Sequence, residues 1–132
     1  MTQTDGMNQQ MLKLHNKVRK EHNLHSLSLH PKLQKVAQQH AVDMKNQGEI
    51  NHKPPVGERL KKEGYHWANC AENAAKGGEL EEPDKTFNNQ WMGSPLHKKN
   101  ILAPEMKEAG FGCASEASGQ PYWCAVFARP QG

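Results

Sequence analysis

Aromatic residues and long apolar runs are both scarce in this sequence. Aromatics make up 6% of the 132 residues, and 17 basic and 14 acidic residues are spread along the chain without a block of like charge. A nucleic-acid-binding protein more often carries a basic stripe with interleaved aromatics, so we expect no nucleic-acid partner. No apolar run approaches the roughly 20 residues that cross a bilayer, which predicts a chain that does not span a membrane.

Export signals and paired-cysteine motifs are also missing. The opening MTQTDGMNQQ has neither the charged start nor the apolar middle of a signal peptide. The chain is therefore either cytosolic or the product of removing such a peptide. Its three cysteines, Cys70, Cys113 and Cys124, show no CxxC spacing, which argues against a cysteine zinc site or a thioredoxin-type motif.

The size and composition favour one domain, residues 1–132, with a modest core. Hydrophobic residues make up 35% of the chain and the mean hydropathy is −0.94, which suggests helices and a sheet with wet outer faces. We expect residues 1–6 to be a flexible N-terminal segment.

Two amphipathic helices are predicted first. The first has Met7, Met11, Leu14, Val18 and His22 at helical spacing. The second begins at Pro31 and ends before Gly48. Its expected buried stripe consists of Leu33, Val36, Ala37, His40, Ala41 and Met44. A histidine within such a stripe is usually a hydrogen-bonded core residue, so His40 is interpreted as structural.

The middle of the chain predicts a long loop and then shorter elements. Residues 50–66 form the loop, with at most a helical turn at GERLKKEGY, and WANCAENAA could be a short strand. Pro83 starts a helix that turns Phe87 and Trp91 to the core together. Ser94 and Pro95 are typical of a helix start. His97 then lies in the first turn, where the helix dipole favours neutral imidazole, the form that binds metal.

The end of the chain predicts a hairpin, because GFGCAS and YWCAVFA flank the turn-rich EASGQP. If Ser118 and Gly119 are its centre, Cys113 lies opposite Cys124 and a disulfide is sterically possible. Pro121 cannot donate to a ladder, so a wider loop with another register is the alternative. Unpaired buried thiols also remain an alternative to the bridge.

Several stretches together resemble the CAP superfamily, also called SCP or antigen-5/PR-1. They are LHNKVRKEH, GERLKKEGY, AENAA, WMGSPLHKKNIL and the two hairpin strands, and they occur in the family's order across nearly the whole chain. Only MGSPL separates Trp91 from His97, which resembles the shorter bacterial-type branch. The resemblance implies an α+β fold, a three-layer α-β-α sandwich with a small antiparallel sheet between helices.

The resemblance also implies a cleft lined by two histidines and two carboxylates. His52 and His97 match the paired histidines, and Glu72 matches the glutamate of the family's ENxA stretch. Glu58 is the expected second acid, with Glu63 as the alternative by spacing.

Two histidines from distant segments could supply two ligands to Zn²⁺ or a similar divalent ion. Glu58 and Glu72 could complete the shell or fix an imidazole tautomer, and either could act as general base for a metal-bound water. The alternative is a hydrogen-bonded cluster that stabilises the cleft, with incidental metal binding. The sequence lacks HExxH and GxSxG, so the usual hydrolase signatures are missing.

These observations favour a secreted or cell-surface binding module over an enzyme. The expected ligand is a lipid, a cell-wall component or a protein, and we expect a monomer. A metal-dependent peptidase or esterase is the alternative. Export would favour a bridge between Cys113 and Cys124.

Overall fold

The structure is a computed structural model that describes the backbone of residues 3–132 and the side chains of residues 6–132. Residues 1 and 2, part of the segment expected to be flexible, lie outside the described residues. The elements in chain order are α1 (Gln3–Glu21), β1 (Ser28–Leu29), α2 (Pro31–Gln47), α3 (Val56–Lys62), β2 (Trp67–Lys76), α4 (Pro83–Lys85) with a π-helical continuation (Thr86–Trp91), α5 (Pro95–Ile101), β3 (Glu108–Ser115) and β4 (Pro121–Pro130).

The sheet has four strands in the order β1-β3-β4-β2. The three long strands pair antiparallel, whereas the two-residue β1 runs parallel to β3, so the sheet is mixed. Strand β4 is central and its residues 121–128 are buried, whereas β2 forms one outer edge. The predicted α+β fold is confirmed, and WANCAENAA lies in a ten-residue strand.

One face of the sheet packs against α2 and α3. All six residues of the stripe predicted on α2 are buried. The helix begins at Pro31 behind His30, whose Nδ1 accepts from Lys32 N–H at 3.1 Å, and it ends at Gly48 with φ at 72°. At Gly112 of β3 the strand approaches so closely that a Cβ would overlap the backbone of α2. Helix and strand are therefore held in direct backbone contact.

The opposite face of the sheet packs against α1, the helix that begins at Pro83, and α5. Phe87 and Trp91 are both buried there, as predicted, together with Phe111 and Phe127. The buried positions of α1 include three polar residues, Asn8, His15 and Arg19, of which His15 and Arg19 are 0% exposed. This side of the core is therefore built around polar side chains as well as apolar ones. Together the two packed faces give the three-layer sandwich.

The predicted register of the hairpin is wrong by one residue. Cys113 pairs with Trp123, and Cys124 pairs with Gly112. Strands β3 and β4 are joined by residues 116–120, so the loop is centred on Ser118 alone. This is the different register of the alternative, but the loop is not wider, because Pro121 pairs with Ser115. A one-residue shift moves a side chain to the other face of the sheet, so the two sulfurs lie on opposite faces. All three cysteines are free thiols, and the predicted disulfide is wrong.

Candidate functional site at the outer edge of the sheet

Strand β2 places two adjacent polar residues on opposite faces of the sheet edge. Glu72 points toward α2 and α3, and its side chain is 2% exposed. Asn73 points to the other face, where its Nδ2 donates to the carbonyl of His97 at 3.1 Å and its Oδ1 accepts from Asn100 Nδ2 at 2.8 Å. The hydrogen bonds of Asn73 therefore connect α5 to the segment of β2 that carries the buried Glu72 carboxylate.

The Glu72 carboxylate is surrounded by donors. Its Oε1 accepts from His52 Nδ1 at 2.8 Å and lies 3.8 Å from His40 Nε2. Its Oε2 lies 2.6 Å from Arg59 Nη2 and accepts from the Cys124 thiol at 3.3 Å. Burial favours the neutral acid, but the hydrogen bond from His52 and the charge of Arg59 outweigh it and lower the pKa of Glu72. The carboxylate is therefore held in its charged form.

His52 lies in the loop between α2 and α3 with its side chain 55% exposed. The hydrogen bond to Glu72 is the largest of the effects on this ring and raises its pKa. Because Nδ1 donates to a carboxylate, the neutral ring carries its lone pair on Nε2. That atom makes no hydrogen bond with any residue the structure describes, so it is available to a ligand.

His97 lies in the first turn of α5, as predicted, with Ser94 as the residue before the helix. The Ser94 hydroxyl makes no hydrogen bond to the helix backbone and instead lies 2.9 Å from His97 Nδ1. Burial lowers the pKa of His97, and the charge of His52 lowers it further. Both effects favour the expected neutral imidazole.

Glu58, the expected second acid, is exposed at the start of α3. No hydrogen bond or ion pair within residues 6–132 joins it to His52, Glu72 or His97. The alternative acid, Glu63, lies 3.0 Å from Lys35 Nζ. The structure therefore brings His52 and Glu72 into contact and places the backbone of His97 next to Asn73 on the same edge strand. It leaves both candidate second acids outside the cluster.

Sequence reasoning did not connect His40, Arg59 or Cys124 with Glu72. His40 is 1% exposed and donates from Nε2 to the carbonyl of Asn51 at 2.7 Å, which agrees with the structural role assigned to it. Arg59 follows Glu58 directly in the chain and supplies the positive charge. A buried carboxylate needs such a partner, and that requirement was the signal that could have pointed to Arg59.

The donor set fits a divalent ion only in part. Across residues 6–132 the structure gathers no group of three or more His, Cys, Asp or Glu side chains that could hold a metal. The oxygens of Glu72 are already occupied by Arg59 and the histidines. What remains is the pair of Nε2 atoms of His52 and His97, with Glu72 behind His52. A carboxylate in that position fixes the tautomer and orientation of a metal-binding imidazole.

Comparison with known proteins assigns the family. The sequence profile of the cysteine-rich secretory protein family, CAP, matches residues 12–127. This chain belongs to the CAP family.

The protein YkwD of Bacillus subtilis is 30% identical over 112 residues, covering 82% of this chain and 42% of YkwD. An outer surface protein of Borrelia burgdorferi superposes with a TM-score of 0.84 at 21% identity, over 93% of this chain and 92% of that one. An extracellular protein of Bacillus anthracis that contains an SCP domain gives 0.79 at 27% identity, over 96% and 41% of the two chains. This CAP domain thus spans less than half of two of these relatives.

No helix within residues 3–132 is long and apolar enough to cross a membrane.

Proposed function

We propose that this CAP domain is a secreted or cell-surface binding module whose cleft binds a divalent ion such as Zn²⁺ through His52 and His97. The ligand of the cleft is a lipid, a cell-wall component or a protein, and the chain acts as one monomeric domain. Two of the relatives are described as an outer surface protein and an extracellular protein, which supports a location outside the cell. The metal proposal is supported by the site geometry, and the ligand classes follow from membership of the CAP family.

The observation that carries the metal proposal is the pair of imidazoles brought to one edge of the sheet by two distant segments. Each ring uses Nδ1 in a contact with its own neighbour, Glu72 or Ser94, and neither Nε2 makes a hydrogen bond within residues 6–132. Two nitrogens make a weak site with open positions for water or ligand. A divalent ion there would supply a Lewis-acidic centre for an oxygen of the ligand.

Binding is better supported than hydrolysis. A general base must be able to accept a proton near the operating pH. Glu72 is held charged by Arg59 and its pKa is lowered, which makes it a weak base. Glu58 is exposed and has no contact with the cluster among the described side chains. The geometry therefore suits Glu72 to orienting His52, rather than to activating water.

Isothermal titration with zinc chloride tests the proposal. The wild type should bind one equivalent, and His52→Ala and His97→Ala should each abolish saturable binding. Glu72→Gln should weaken binding by about 10 to 100-fold, because the carboxylate orients His52. His66→Ala removes an exposed histidine outside the cluster and should bind zinc like the wild type. Equal binding by all four variants would show that the site lies elsewhere.

A turnover assay separates binding from hydrolysis. The zinc-loaded protein should show no cleavage of peptide or ester substrates above that of His52→Ala. Cleavage that requires zinc and disappears in Glu72→Gln would contradict the binding proposal and establish the hydrolase.

A further inference from the structure

The outer edge of the sheet presents the backbone of every second residue of β2. Strand β2 pairs with β4 on its other side, and Gly77 N–H donates to the carbonyl of Pro121 directly opposite it at 2.8 Å. In an antiparallel pair, residues that bond to the partner strand alternate with residues whose N–H and C=O groups point away from it. The register is continuous over residues 69–76. The even-numbered residues in this range therefore direct both backbone groups to the outer edge.

Two side chains cover the end of this edge. Trp91 Nε1 donates to the carbonyl of Ala74 at 3.3 Å, and Gln90 Nε2 donates to the carbonyl of Lys76 at 3.0 Å. Both donors belong to the π-helical segment that follows α4, and both carbonyls are at even-numbered positions of β2. A free strand edge is a template for pairing with another chain. The π-helical segment therefore blocks such pairing at Ala74 and Lys76.

The preceding stretch of the same edge is open. The backbone N–H and C=O groups of Cys70 and Glu72 make no hydrogen bond with any residue that the structure describes. Cys70 is partly exposed. Glu72 is 9% exposed as a whole residue, whereas its side chain is 2% exposed. Most of the accessible surface of Glu72 therefore belongs to its main chain, so these donors and acceptors can be reached from solvent.

The open stretch lies between the segments that carry the two histidines. On one face of the sheet, His52 donates to the Glu72 side chain. On the other face, Asn73 holds α5 through the carbonyl of His97. A single extended chain can enter between the loop of His52 and α5, whereas a second copy of this domain would bring the same loop and helix against them.

The spacing of the open groups selects the ligand. Residues two apart in a strand are about 7 Å apart, so Cys70 and Glu72 repeat one donor and one acceptor at that distance. The backbone of an extended peptide carries the same repeat, and the chain of a lipid has neither group. We propose that an extended peptide binds in the cleft by pairing with β2 at Cys70 and Glu72 as an additional strand. The inference rests on the proposed function for the role of the cleft, but strand pairing itself needs no metal.

Selection from a random decapeptide library with the zinc-free full chain, followed by fluorescence anisotropy with a selected peptide, tests this proposal. Peptides that bind saturably should be enriched. N-methylation of alternate residues of the peptide should weaken binding at least about tenfold, because only every second N–H faces β2. N-methylation of the residues between them should have a smaller effect. Failure to enrich any peptide, or an effect of N-methylation that does not alternate, would overturn the proposal.

Two variants at one position locate the binding. Cys70→Pro removes an N–H that points away from β4, so the ladder between the two strands is kept. Cys70→Ala removes the same thiol but keeps the N–H, and serves as its reference. The selected peptide should bind Cys70→Pro at least about tenfold more weakly than Cys70→Ala. Equal affinities would refute the site. If Cys70→Pro does not fold, the N-methylation pattern decides.

The same assays separate this proposal from the metal site and from self-association. Peptide binding should persist without zinc, so failure of the zinc titration would leave it standing. Peptide binding that requires zinc and is not weakened in Cys70→Pro would place the peptide on the metal and contradict strand pairing. Sedimentation velocity gives the oligomeric state. A dimer that Cys70→Pro dissociates would assign the edge to a second copy of this chain instead of a peptide.

Discussion

Acidification should destabilise this protein through one histidine at the centre of its core. His15 in α1 is 0% exposed, and its ring centroid lies 4.7 Å from those of Phe87 and Phe111. Burial lowers its pKa from 6.5 to about 3, against the hydrogen bond to the Met11 carbonyl, which raises it. The folded protein therefore keeps this ring neutral at pH values where the unfolded chain protonates it.

The sign and size of the effect follow from proton linkage. Below about pH 6.5 the unfolded state binds one more proton at His15 than the folded state, so the free energy of unfolding falls as the pH falls. Each pH unit costs about 1.4 kcal/mol until the folded pKa is reached. At about pH 5 the loss is about 2 kcal/mol, a large share of the roughly 5–15 kcal/mol that stabilises a domain. Above about pH 7 this contribution is constant.

Urea denaturation of the wild type and His15→Phe, compared between about pH 7 and pH 5, measures this effect. Phenylalanine keeps a ring among the aromatic neighbours and removes both ring nitrogens. One of them, Nε2, is buried without a hydrogen-bond partner among the described residues. The other histidines are present in both proteins, so their contributions cancel in the difference. Between about pH 7 and pH 5 the wild type should lose about 2 kcal/mol more than the variant. Parallel pH profiles would refute the argument.

Three further predictions concern the framework of the fold. Arg19→Lys should lower the free energy of unfolding by about 3 kcal/mol in urea, because lysine cannot replace the guanidinium that donates to the backbone carbonyls of His25, Ile101 and Ala103. An unchanged midpoint would contradict that role. Gly112→Ala should lower the free energy of unfolding by at least about 2 kcal/mol or prevent folding, since the added Cβ would overlap the backbone of Gln38. Thermal melting measures this, and Gly6→Ala is the control, because a Cβ at Gly6 meets no atom within 4 Å. All three thiols should react with iodoacetamide after unfolding without reductant, and alkylation of only one thiol would reveal a disulfide.

The apolar patterns predicted much of the fold because they report which face of an element is buried. The stripe on α2 is buried at every predicted position. On α1 the same reasoning succeeded only in part, because the fully buried positions include His15 and Arg19. Burial of a polar residue can be predicted only when its contacts are known. The contacts of His15 and Arg19 are aromatic rings and backbone carbonyls far along the chain, which the spacing of apolar residues in α1 does not reveal.

The hairpin shows a second limit of the sequence. GFGCAS and YWCAVFA predicted both strands correctly, but the pairing depended on the length of the loop between them. The loop is centred on Ser118, whereas the predicted centre lies between Ser118 and Gly119. Cys113 therefore pairs with Trp123 rather than with Cys124. Since side chains alternate between faces, that small difference decides whether a disulfide can form.

His52, Glu72 and His97 were predicted from the resemblance to the CAP family, whose motifs they match. Glu72 lies on β2, and His97 follows the helix start at Ser94 and Pro95. The second acid was harder to place, because α3 is only seven residues long and the spacing in GERL does not say which side faces the cluster. The structure turns Arg59 inward and leaves Glu58 exposed.

Thermal melting in the presence of zinc tests the central claim most directly. Because a ligand that binds only the folded state stabilises it by mass action, zinc at about 100 times its dissociation constant should add about 2.7 kcal/mol and raise the Tm by several degrees. His52→Ala and His97→Ala should each lose this rise, whereas His40→Ala should melt lower but keep it. If both cleft variants respond to zinc like the wild type, His52 and His97 are not the metal ligands and the account of the cleft is wrong.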